Sequence, residues 1–264
     1  ITTYVRDNNT TWILQEGHAD IATGVSTTTV YTYDTKGNTL TRTEALGTAV
    51  QKTTTYTYHP VFNGMLTETV LSVVTPAQNR VMTNTYDETN GNLLTTTEAG
   101  LLGDGSPYSF TTTYTYDVNG KVATIDGPRT DVSDITTYTY DPTAGSLSSI
   151  AQPLIGTTTY SNFDGLGNPQ TVTDPNGNAT TYTYDTAGRM QTVKAPGDTA
   201  ATQYFYITGG CSSCGGGANK IDHITLPEGK TIWYTYDSLG NLSSIKDNAN
   251  NSINYTYDSE GNKL

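Results

Sequence analysis

The residue types that do chemistry most readily are gathered at one place in this chain. Gly209-Gly-Cys-Ser-Ser-Cys-Gly-Gly-Gly217 holds the only two cysteines, Cys211 and Cys214, as a C-x-x-C pair, and His223 follows nine residues after Cys214. A structural zinc site takes four ligands; two thiols and one imidazole fall short of that. A thioredoxin-type pair needs a helix N-terminus to lower its thiol pKa, and no helical period surrounds this one. The plain reading is a local disulfide, or a pair of reduced thiols, in a glycine loop. A disulfide would suit an exported protein. A cross-link or shared metal between neighbouring subunits is one alternative. A redox or metal role within one chain, drawing on Cys211, Cys214 and His223, is another.

The other candidates are weaker. Neither His18, His59 nor His223 has a nearby Ser or Cys with triad logic. Gly210-Cys-Ser-Ser-Cys-Gly215 misses the G-x-S-x-G spacing of a nucleophile elbow. Asp34, Asp87, Asp117, Asp141, Asp164, Asp185, Asp237 and Asp258 recur along the chain, and a carboxylate row would invite Ca²⁺. Asp174, Asn176 and Asn178 give half of a calcium-loop pattern without its later Glu. Capping of turns accounts for these aspartates better. We assign no catalytic residue, no metal and no cofactor, and expect no enzyme.

The elements that must position these residues repeat. Residues 180–189 read T-T-Y-T-Y-D-T-A-G-R. Side chains alternate faces along an extended chain, so Tyr182 and Tyr184 share one face and Thr181 and Thr183 the other. Asp185 opens a reversal and Gly188 supplies the positive φ that a tight turn needs. The same unit stands at Tyr31, Tyr33, Asp34 and Gly37; at Tyr114, Tyr116, Asp117 and Gly120; at Tyr234, Tyr236, Asp237 and Gly240; and at Tyr255, Tyr257, Asp258 and Gly261. Looser copies lie at Tyr56/Tyr58/His59 with Gly64, Tyr86/Asp87 with Gly91, Tyr138/Tyr140/Asp141 with Gly145, Tyr160/Phe163/Asp164 with Gly167, and Tyr204/Tyr206. That makes ten copies at steps of 21 to 30 residues, the signature of a repeat array. A second reversal, clearest at Asp174-Pro-Asn-Gly177, separates successive copies. Residues 1–25 read as an irregular or worn first repeat, with a strand over 10–15. Residues 26–264 read as one continuous repeat segment with a Gly/Cys insertion at 208–219. A protruding loop is expected at 100–107.

Composition sets limits. Only 34% of the 264 residues are hydrophobic, and the net charge is −12. So acidic a surface is unsuited to phosphate backbones and to anionic membranes. No apolar run reaches the roughly 18 residues of a spanning helix. The start at Ile1 and the stop at Leu264, within a repeat, predict a segment of a longer or processed chain.

The recurring Y-T-Y-D-x-x-G-N/R unit resembles the YD repeat of the RHS/YD-repeat proteins, over residues 26–264. The resemblance implies an all-β antiparallel strip that curls into a spiral, hollow shell or tube. In that family such shells enclose a toxic C-terminal domain in bacterial toxins, form an extracellular barrel in animal teneurins, or occur in wall-associated bacterial proteins. This chain shows neither the aspartate-protease core segment nor the variable toxin that end the toxin shells. The expected role is structural: the wall of a shell, or an extracellular fibre, of an exported bacterial protein. The expected partners are neighbouring repeats or copies of itself, then an enclosed cargo or cell-surface glycans, and no nucleic acid. The expected place is secreted, extracellular or at the cell surface. The alternatives are an encapsulation shell for a C-terminal toxin, or a cell-surface adhesin binding glycans or proteins through its loops.

Overall fold

The computed structural model describes residues 2–19, 23–72, 79–207 and 219–264. The chain divides into two compact units, Ile1–Thr136 and Thr137–Leu264. The first holds β1 (Thr2–Arg6), β2 (Ile13–Ala19), β3 (Ser26–Tyr33), β4 (Thr39–Glu44), β5 (Lys52–Tyr58), β6 (Met65–Val70), β7 (Arg80–Tyr86), β8 (Leu93–Leu101), β9 (Pro107–Tyr116) and β10 (Val122–Asp126). The second holds β11 (Thr136–Tyr140), β12 (Leu147–Gln152), β13 (Gly156–Phe163), β14 (Pro169–Thr173), β15 (Ala179–Tyr184), β16 (Met190–Lys194), β17 (Thr202–Tyr206), β18 (Ile221–Thr225), β19 (Thr231–Tyr236), β20 (Leu242–Asp247) and β21 (Ser252–Asn254). Within each unit every strand pairs antiparallel with its sequence neighbour, a meander from end to end. The fold is all-β and antiparallel, and no helix occurs among the described residues.

The period-two pattern sets the faces. Along β15 exposed and half-buried residues alternate, with Tyr182 and Tyr184 inward of Thr181 and Thr183. No large side chain among the described residues is fully buried. Tyrosine and aliphatic side chains lie half-buried along one face of the sheet. The opposite face carries hydroxyl pairs across strands, such as Thr57–Thr67 at 2.7 Å, Thr85–Thr95 at 2.7 Å and Thr183–Thr192 at 2.8 Å. Such pairs add modestly to sheet stability.

Two expectations change. The strand expected over 10–15 begins at Ile13, because Asp7 to Trp12 close a turn with Thr11 at φ 63°. Residues 2–19 therefore form a full hairpin of the repeat type, with Tyr4, Arg6 and Asp7 in the repeat positions. The loop expected at 100–107 is a turn of residues 102–106 that closes two long strands, with Gly105 N–H on the Leu102 carbonyl. Tyrosines of successive repeats stand on alternate strands. A return strand lies between them, which sets them roughly 10 Å apart.

Candidate functional site

Beside the strand ladder, the hydroxyl of the tyrosine that precedes the turn joins one repeat to the next. Tyr33 donates to the Ile13 carbonyl at 2.7 Å, Tyr58 to Thr39 at 2.9 Å, Tyr86 to Met65 at 2.9 Å and Tyr116 to Leu93 at 2.7 Å. In the second unit Tyr184 donates to Pro169 at 3.1 Å, Tyr206 to Met190 at 2.8 Å, Tyr236 to Ile221 at 3.0 Å and Tyr257 to Leu242 at 2.9 Å. Each acceptor is the residue opposite the corresponding tyrosine of the preceding repeat, or opposite its substitute, Arg6 or Phe163.

The strand register explains the choice. In the β15–β16 hairpin Thr183 faces Thr192 but Tyr184 faces Met190, so Gln191 is an extra residue on the return strand. The same bulge stands before the turn in every hairpin of this kind except β13–β14. A bulge bends the strand and interrupts the ladder. On the far side of β16 the pairing with β17 covers only Thr192 and Val193, two residues short of Met190. The Met190 carbonyl thus lacks a ladder partner, and a half-buried carbonyl must find one. Tyr206 supplies it. Burial pushes the Tyr33, Tyr58, Tyr116, Tyr184, Tyr206 and Tyr236 phenols up from their ordinary pKa.

The aspartates hold the turns. Asp34 Oδ1 accepts the N–H groups of Lys36 and Asn38, and Oδ2 accepts the Asn38 amide at 2.8 Å. Asp164, Asp174, Asp237, Asp247 and Asp258 use an Asn four residues on in the same way. At Asp185 the Arg189 guanidinium stands in, and Asp117 Oδ1 accepts the backbone N–H groups of Asn119 and Lys121. The Asn38 amide holds the Asp34 carboxyl below the usual range, and Asn178 and Asn262 do so for Asp174 and Asp258. Gly37, Gly120, Gly188, Gly240 and Gly261 take the positive φ of these turns. A longer turn, bridged by the N–H four residues on, occurs at Asp7, His59, Asp87 and Asp141. There the sequence misleads at one point: Asn63, not Gly64, adopts the positive φ, at 61°. Gly64 is needed because the Tyr86 ring lies 2.7 Å from where its Cβ would stand.

The remaining candidates separate. Cys211 and Cys214 lie outside the described residues. His223 stacks on Phe205 at 4.1 Å and bonds Asp222 at 2.7 Å. His18 sits by Thr2 and Glu16 on the first hairpin. Among the described residues no three His, Cys, Asp or Glu side chains converge as a metal set. The acceptor carbonyls of the tyrosine ladder were invisible to sequence reasoning, because backbone groups carry no sequence signal. The constant T-Y-D order was the one available clue.

A family model described as RHS Repeat matches residues 163–200. That stretch of the chain carries an RHS repeat. The matched stretch runs from Phe163 and Asp164 through the turns at Asp174 and Asp185 to the strand beyond Met190, one full period of the ladder. Among solved structures, this chain is similar to "TcdB2-TccC3 without hypervariable C-terminal region", at 14% identity and TM-score 0.46, covering all of this chain and 19% of that one. It is also similar to "TcdB2-TccC3", at 15% identity and TM-score 0.43, covering 94% of this chain and 17% of that one. A porin-like protein from Bacteroides uniformis matches at 11% identity and TM-score 0.27, covering 97% of this chain and 95% of that one. Likeness at these scores carries no argument about what the chain does. The chain spans about a fifth of the first of these structures. No curated protein matches it. No helix among the described residues is long and apolar enough to cross a membrane, which says nothing of β-barrels.

Proposed function

We propose that this chain is a structural, non-catalytic wall segment of an exported bacterial RHS-repeat protein, a strip whose work is to extend itself. The observation that carries the reading is the tyrosine ladder. Each repeat gives its hydroxyl to a carbonyl that the preceding repeat leaves without a ladder partner, so a repeat is completed only by its neighbour. The carboxylates that could have held a metal are committed to turns. The acidic surface keeps such a strip soluble. Curled, it would make the wall of a hollow shell around a cargo; joined end to end, an extracellular fibre. The twist and bulges of the sheet favour the curled form.

Electron microscopy of the parent protein as it is secreted tests this. Closed hollow particles are the expected result. Filaments with an axial repeat of a few YD units would replace the shell with the fibre. Small, compact, solid particles with an activity lost in Cys211→Ser would overturn a structural role altogether.

A further inference from the structure

The turn at His59 differs chemically from the aspartate turns of the same length. Asp7 Oδ1 accepts the N–H groups of Asn9 at 2.9 Å and Thr10 at 2.8 Å, and Asp141 Oδ1 those of Thr143 at 2.9 Å and Ala144 at 2.6 Å. At His59 the ring nitrogen Nδ1 takes the place of Oδ1, 3.3 Å from Val61 N and 3.2 Å from Phe62 N. A ring nitrogen accepts only when it bears no proton. The closed turn therefore holds the neutral imidazole with its proton on Nε2.

The surroundings are enclosed on three sides. Nε2 faces the Glu88 carboxylate at 3.3 Å, from the turn after β7. Phe62 stacks on the ring at 4.9 Å, and Tyr86 of β7 meets it edge-on at 6.0 Å. Lys36, from the turn after β3, donates to the Pro60 carbonyl at 2.9 Å. The charged and titratable groups about the ring are thus Glu88, Tyr86 and Lys36. His59 is only 5% exposed, whereas the Glu88 side chain is 82% exposed, so water screens its pull on a cation.

We propose that the turn at residues 59–64 is a proton-operated latch between the second and third YD repeats. The neutral ring closes it. A proton on Nδ1 would point at two N–H donors and place a charge in a nearly dry site, so the protonated ring swings out and the turn opens. Phe62 then leaves the next turn, where its ring seats 2.8 Å from the Cβ position of Gly91. The aspartate turns keep their acceptors until the carboxylates themselves take protons, so one joint of the first unit loosens at milder acidity than the rest.

Amide hydrogen exchange on the intact chain, corrected for intrinsic rates, tests the latch between about pH 7.5 and about pH 5. Protection of the Val61 and Phe62 amides should fall by up to about tenfold per pH unit. Thr143 and Ala144, at the same positions of the Asp141 turn, should hold steady. His59→Asp should abolish the difference. Parallel behaviour of the two turns in the native chain, or a fall that persists in His59→Asp, would overturn the proposal. The native comparison decides even where the variant fails to fold.

Discussion

The two units share one backbone plan and differ in what lies opposite the first repeat tyrosine. In the second unit the five such partners given by the strand pairing are aliphatic: Ile150 for Tyr138, Val172 for Tyr160, Val193 for Tyr182, Ile224 for Tyr204 and Ile245 for Tyr234. In the first unit it is Glu16 for Tyr4, Arg42 for Tyr31 and Glu68 for Tyr56, and only at Tyr114 does Ile125 appear. Charges there pair along the face, Arg42 with Glu44 at 2.7 Å and Arg80 with Glu68 at 2.8 Å and Glu98 at 3.5 Å. One face is held by apolar contact and the other by ion pairs, yet strand order, bulge and turn are the same. The face chemistry is therefore free to vary, and the ladder and turns define the repeat.

The sharpest way to break this comparison is to remove one ladder ring from each unit. Tyr58→Ala and Tyr236→Ala should each cost ~2–3 kcal/mol, less than a full core truncation because both rings are half-buried. Urea unfolding followed at Trp12 in the first unit and Trp233 in the second would read each loss. A large asymmetry would mean that the ladder is not common to both units. Tyr58→Phe and Tyr236→Phe isolate the hydroxyl and should cost about 1 kcal/mol each.

The ends of the pH scale come next. The turn carboxylates of Asp34, Asp174 and Asp258 have lowered pKa values, chiefly from Asn side-chain hydrogen bonds. Their stabilisation is complete above the unfolded carboxylate value, about 4, and is lost as pH falls below it. The ladder tyrosines are raised by burial in both units, at Tyr58, Tyr116, Tyr184 and Tyr236. Their contribution is complete below about pH 10 and is lost as pH rises past it. Thermal melts across pH should show both units failing together at the two extremes. Failure of one unit alone at alkaline pH would confine the ladder to it.

The smallest effect distinguishes the faces. Arg80→Met in the first unit should change stability by only about 0–1 kcal/mol, as partly exposed pairs do. Molar salt should weaken the first unit slightly and leave the second unchanged or firmer. A loss well above that range in Arg80→Met would make the ion pairs a structural requirement of the repeat.

Much of this was legible in the chain. The alternation of Tyr182 and Tyr184 with threonine placed both rings on one face, and Asp185 to Gly188 gave a turn. The first hairpin was harder, because Arg6 stands where the second tyrosine belongs and Thr11 where the glycine belongs. Asn63 and Gly64 exchanged roles for a similar reason: asparagine tolerates positive φ, and the demand for a bare Cα came from the Tyr86 ring, distant in sequence.

By itself the sequence determined the all-β class, the two-faced strands and the order of the turns, because these depend on local propensity and on the period of two. Only the tertiary structure decided how repeats are joined. The extra residue at Gln191, the unpaired Met190 carbonyl and the Tyr206 hydroxyl that meets it belong to three different strand positions. A bulge and a backbone acceptor exist only once two strands are set in register, and no residue type announces them.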